Sequence, residues 1–142
     1  ARRVVLEITE RASLAHHHSL VDHIRALREL GFRVAVDDLG AGYAGLTTLS
    51  RVQPEFVKLD ASLVRGIDAS AVNRLIVTAV LDLSAELGAR VVAEAIETAG
   101  ELKALQALGV DLMQGYFFAR PGKPFVGLNA QALELTPRPE AA

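Results

Sequence analysis

Five short apolar runs, "VVLEI", "FRVAVDD", "EFVKLD", "ARVVAEAIE" and "VDLMQGYFF", alternate along the chain with stretches of helical periodicity. Apolar strands that each lead into a helix make right-handed βαβ units and a parallel sheet covered by helices. The helices are read from spacing and punctuation. Leu20, Ile24 and Leu27 mark one over about 19–30, with Gly31 as its stop. "AGLTTLSRV" predicts a short one. A long helix over about 69–87 carries the stripe Val72, Leu75, Ile76, Ala79, Val80 and Leu83, and ends at Gly88. Thr98 and Glu101 stand at capping-box spacing and open a helix to Leu108, closed by Gly109. The fold class is therefore α/β. Five strands of this kind fit an open doubly wound sheet or a stretch of a (β/α)8 barrel. The sequence has no internal repeat and no Gly-rich dinucleotide fingerprint.

The chain has 142 residues, which is one domain or part of one. Its net charge of −2 gives no general pull toward nucleic acid or an anionic membrane surface. It has no cysteine, so disulfides and thiolate metal sites are excluded. No apolar run is long enough to span a bilayer, so this segment is expected to make no membrane contact. The chain starts without Met, almost directly in "VVLEI", and is expected to be a piece of a longer polypeptide.

Each apolar run ends in an acid, an amide or a lysine: Glu7, then Asp37 and Asp38, then Lys58 and Asp60, then Glu94 and Glu97, then Gln114. In parallel βα folds the carboxyl ends of the strands form the active-site face. Several carboxylates converging there repel one another unless divalent cations sit among them. Ligation by oxygen alone favours hard ions such as Mg2+ or Mn2+. A carboxylate shared by two ions, with separate ligands for each, suits hydrolysis of phosphate esters. Strict alternation sends Asp37 and Asp38 to opposite faces. Gly40 and Gly42 give the following loop the freedom to turn Asp38 back, so that Asp37 bridges two ions and Asp38 binds one.

"LEITE", "VDDLGAGYAGL", "VKLD", "VVAEAIET" and "QGYFFARP" occur in the order and spacing of the EAL domain, and the chain resembles that family to about Pro124. The resemblance implies a modified TIM barrel that hydrolyses the bacterial messenger cyclic di-GMP to linear pGpG with two Mg2+ or Mn2+ ions. It implies that Glu7 binds the first metal, Asp37 bridges, and Asp38 binds the second metal. Lys58 holds the attacking water or a phosphate oxygen, and Glu94 is a second-metal ligand or the general base. Gln114 contacts the water network. Glu10 and Glu97 tether the loop "DLGAGYAG", which contains Gly40 and Gly42 and links the site to a dimer interface. A homodimer, upstream sensor or GGDEF domains, and a cytoplasmic location follow from the same likeness.

The family's Glu-Ala-Leu strand and its Asn ligand are missing from the chain and are expected upstream of Ala1. Residues 1–128 are thus read as the carboxyl-terminal half of an EAL domain, inactive when isolated and prone to self-associate through open edges. Val36, Leu59 and Val92 are expected to lack the opposite wall of the barrel. Residues 129–142 are read as a partly disordered tail. Ala95 stands where the family has Gly, Leu39 where it has Phe, and Ala41 and Ala44 where it has Thr and Ser. These departures keep open a degenerate module that binds cyclic di-GMP without cutting it; a module serving only dimerisation is the third reading. Among the other polar residues, Asp60 reads as the cap of a turn into "ASL", and His16–His18 as a solvated helix start. Tyr43, Phe117 and Phe118 read as packing. Arg120 fits a phosphate contact or a place in the loop before Pro121.

Overall fold

The computed structural model describes residues 1, 3–9, 19–40, 45–122 and 127–136. Glu10, His16–His18, Ala41, Gly42, Tyr43, Ala44, Pro124 and residues 137–142 lie outside the described residues.

The element order is β1 (Val5–Thr9), α1 (Leu20–Glu29), β2 (Arg33–Leu39), α2 (Gly45–Val52), β3 (Phe56–Leu59), α3 (Ala61–Val64), α4 (Ala71–Glu86), β4 (Arg90–Ala93), α5 (Ala99–Ala107), β5 (Leu112–Met113) and α6 (Ala130–Leu135). The five strands form one parallel sheet in the order β1-β2-β3-β4-β5. This order decides between the two α/β architectures. A doubly wound sheet reverses direction at a switch point, whereas strands added one after another build the wall of a barrel.

Strand parity separates two faces. Glu7 pairs with Ala35 and Thr9 with Asp37, while Lys58 pairs with Val92. Val5, Glu7, Phe56, Lys58, Val92 and Gln114 line the concave face of the arc. The alternate residues Val34, Val36, Val57, Leu59, Val91 and Ala93 join the core with Leu49, Val52, Ile67, Val77, Leu102 and Leu105. The expectation for Val36 and Leu59 is therefore corrected: both are fully buried against the helix layer. Val92 does line the open concave face.

Local signals place the helices. Asp60 caps α3, its side chain accepting from the Ser62 N–H at 2.9 Å. Thr98 and Glu101 make the full capping box at the start of α5. Helix α4 forms where expected but is rotated: it buries Val77, Val80 and Ser84. Val72, Leu75, Ile76 and Leu83 face solvent, Leu75 at 72% exposure. The helix is apolar on two sides, so periodicity alone does not say which side meets the sheet. Polar contacts at its start fix the rotation. The Ser70 hydroxyl accepts from the Asn73 N–H, the Asn73 amide donates to the carbonyls of Ser62 and Leu63, and Arg74 donates to those of Ile67 and Asp68.

Part of the stretch read as a tail, residues 129–136, carries structure. Asn129 caps α6, and its N–H donates to the Phe118 carbonyl at 2.7 Å. Gln106 donates to the Leu135 carbonyl, and Ala132 is buried. A six-residue helix is not stable by propensity. It forms here because it docks, which local sequence does not reveal.

Candidate active site

The site lies where β1, β2, β3 and β4 end. Lys58 is the sole cation of the group, and its side chain is 11% exposed. Its Nζ lies 2.9 Å from Glu7 Oε1, 3.0 Å from Asp37 Oδ1 and 2.9 Å from Glu94 Oε1. Gln114 Nε2 donates to Glu94 Oε1 at 2.7 Å. Five of the residues singled out from the sequence thus meet in one network, drawn from four strand ends and the segment after β5. Burial works against the Lys58 charge, but its bonds to Glu94, Glu7 and Asp37 outweigh that and hold the ammonium above the ordinary lysine range. For Glu94, burial is the largest influence and raises the carboxyl; Lys58 opposes it, and Asp37 and Glu7 reinforce it.

Asp38 departs from the expected arrangement. The register slips between Val36 and Leu39, so two aspartates stand where one residue would, as a bulge. Asp38 itself takes a left-handed φ of 59°, and its N–H donates to Asp37 Oδ1 at 3.0 Å. The turn expected from the following glycines therefore begins at Asp38. No ion pair among the described residues reaches its carboxylate. Gly40 follows at φ 114°, and a Cβ there would stand 2.6 Å from Leu63 Cδ1.

The remaining candidates lie around this network. Glu97 pairs with Arg65 at 2.6 Å, both exposed, and the tethered loop at 41–44 lies outside the described residues. The Arg120 guanidinium stacks on the Tyr116 ring at 5.0 Å. Phe117 is buried and meets Phe118 edge-on at 5.9 Å. Glu101, a helix cap by its spacing, also organises the site's surroundings. It is buried and accepts from the N–H groups of Gly66, Glu97 and Thr98. Burial raises its carboxyl, but those three donors outweigh it and keep the group ionised below the usual carboxylate range. The Thr-x-x-Glu pattern directly after two site acids was the available signal.

Ala95 has φ 57°, beside Glu94. A Cβ in the left-handed region costs roughly 1–2 kcal/mol, and glycine gives back about half of that through its greater unfolded-state entropy. Ala95→Gly is expected to raise the stability of the complete domain by roughly 0.5–1 kcal/mol. Denaturant midpoints of the two proteins check this; an unchanged or lower midpoint refutes it.

The donor set fits a divalent cation by its charge. Three carboxylates share one ammonium, so the network carries two uncompensated negative charges, before Asp38 is added. Among the described residues no three acids or histidines stand ready as a cation site by themselves. The carboxylate oxygens converge on Lys58 instead.

The EAL domain family model matches residues 1–121. The chain belongs to the EAL domain family. A relative described as a probable cyclic di-GMP phosphodiesterase, PdeA of Escherichia coli K12, is 38% identical over 83% of this chain and 16% of its own length. The manganese and cyclic di-GMP complex of Klebsiella pneumoniae BlrP1 superposes with a TM-score of 0.80 at 42% identity, over 84% of this chain and 31% of that one. A standalone EAL protein of Vibrio cholerae O395, in its cyclic di-GMP bound form, gives 0.82 at 37% identity, over 90% of this chain and 54% of that one. The EAL chain thus spans about half of the shortest of these proteins, and the strand order agrees with an arc of the family's barrel.

Proposed function

We propose that this chain is the carboxyl-terminal half of a metal-dependent phosphodiesterase domain that hydrolyses cyclic di-GMP to pGpG. The observation that carries the reading is the gathering of Glu7, Asp37 and Glu94 on Lys58 at the strand ends, two positive charges short of neutrality. The relative named above and the two ligand-bound structures support the choice of substrate.

In this reading Glu7 would hold one of two divalent ions, Mg2+ or Mn2+, Asp38 the other, and Asp37 would serve both; the ions would supply charge stabilisation for the phosphodiester and acidify water at the site. The chain's own residues do the rest. Glu94, whose carboxyl is raised by burial, accepts a proton from the attacking water or completes the second ion's ligands. Gln114 fixes the Glu94 carboxylate by donating to Oε1. Lys58 orients the water or a phosphate oxygen, and Arg120 takes a phosphate at the rim. Glu10 and Glu97 tether the loop holding Gly40 and Gly42. The domain is read as cytoplasmic on the family likeness alone. No described helix is long and apolar enough to cross a membrane.

The exposed stripe Val72, Leu75, Ile76 and Leu83 on α4 supports a homodimer, since soluble monomers seldom leave such a patch uncovered. The isolated half is read as inactive, because ligands expected upstream of Ala1 are not part of it.

The complete domain incubated with cyclic di-GMP and Mn2+ is expected to release pGpG, followed by chromatography, and to stop in EDTA. The Ala95 conformation favours one second reading, a receptor that binds cyclic di-GMP uncut. Calorimetric binding without any pGpG would establish that receptor and refute the phosphodiesterase.

A further inference from the structure

We propose that Lys58 is a built-in counter-ion that competes with divalent cations for the site's carboxylates and so sets the threshold for metal uptake. The inference rests on the metal-site reading above and deepens it. A lysine ammonium has three N–H donors. Here they are spent on Glu7 Oε1, Asp37 Oδ1 and Glu94 Oε1, one acceptor from each of three strand ends, at 2.9, 3.0 and 2.9 Å. No donor is left for a water or a phosphate oxygen. The role that the family resemblance gives Lys58 therefore requires its release from these partners. The Lys58 stem stands on the concave face with Phe56, Val92 and Gln114, and its side chain is only 11% exposed, so the ammonium is largely withdrawn from water while it holds these partners.

A hard cation needs the same oxygens at about 2.0–2.2 Å. An ammonium at their centre and a cation bound to them repel as like charges at close range in a partly desolvated place. The two positive species therefore exclude one another from the full set of three oxygens. Lys58 keeps the carboxylates together and partly neutralised, and its donors become available only as those carboxylates are engaged otherwise. Metal uptake and the freeing of Lys58 become one event.

The test is metal binding without substrate. In the complete domain, Lys58→Met removes the charge and keeps the stem. Calorimetry with MnCl2 is expected to give an affinity on the order of tenfold or more tighter than wild type. In EDTA the variant is expected to melt lower than wild type, and to gain more than wild type on adding Mn2+. Lys58→Arg, which keeps the charge, is expected to restore near wild-type affinity, a rescue that a merely space-filling lysine would not show. If Lys58→Met does not fold, Lys58→Gln carries the same measurement. Equal or weaker Mn2+ binding by the uncharged variant, with wild type binding normally, overturns the competition and leaves the metal site standing. No Mn2+ binding by either protein overturns both.

Discussion

Asp37→Asn in the complete domain is expected to lower cyclic di-GMP turnover by about 1,000-fold or more while leaving the fold intact. The chemical part follows from charge. Asp37 is the acid proposed to serve both ions, and several kcal/mol of charge stabilisation disappear with it. About 4 kcal/mol corresponds to a thousandfold in rate. The structural part follows from the local bonds. Asp37 Oδ1 accepts from Lys58 and from the Asp38 N–H. An Asn oxygen can accept both, so stability should change by no more than about 1 kcal/mol. Repulsion among the acids alone would make the variant more stable. With Lys58 already paired to Asp37, removing the charge also removes an attraction, and the two effects oppose. Rates of pGpG release and thermal melts of both proteins in EDTA check the two halves. Turnover near wild type would remove Asp37 from the proposed role.

The alternation of strands and helices was legible because each apolar run is short and ends in a polar residue, while the helices between them are punctuated by Gly or a cap. Spacing alone does not choose a barrel arc over a doubly wound sheet, since both read as βαβ units and differ only in strand order; the resemblance to the EAL domain makes that choice, and the strand order agrees with it. The rotation of α4 was hidden by its apolar residues on two sides, and it is settled by the polar contacts of Asn73 and Arg74. The docking of α6 depends on Gln106 and Phe118, far from it in sequence.

Much of the site was legible for a related reason. Polar residues closing apolar strands must gather at one end of a parallel sheet, so Glu7, Asp37, Lys58, Glu94 and Gln114 could be named together. What spacing cannot supply is depth. That Lys58 stands at the centre, and not at the edge, depends on the register that sets it between β2 and β4. The left-handed Asp38 and the bulge around it are likewise set by the demand that Val36 and Leu39 both reach the core. Glu101 was visible as a cap, but its hold on the Gly66 N–H crosses 35 residues and needed the fold.

Gly115→Ala is expected to be the most damaging single methyl in the described chain. A Cβ at position 115 would fall on the backbone nitrogen, oxygen and carbonyl carbon of Ile96. Those atoms cannot rotate away as a side-chain tip can. Ile96 is fully buried, its N–H donates to the Gln114 carbonyl at 3.2 Å, and its carbonyl accepts from the Phe117 N–H at 2.9 Å. Room for the methyl is made only by separating residues 94–97 from 114–117, which breaks both bonds inside a packed core. Overpacking together with two buried polar groups left unpaired costs about 3 kcal/mol or more. The same separation pulls Gln114 away from Glu94, now 2.7 Å apart. Lower stability and lower turnover should therefore appear together. Urea unfolding of the variant should give a clearly lower midpoint. Ala at the neighbouring Tyr116, which is half-exposed, serves as the control and should cost far less. A Gly115→Ala protein with the wild-type midpoint would mean that the two segments are not held as closely as the Ile96 contact requires.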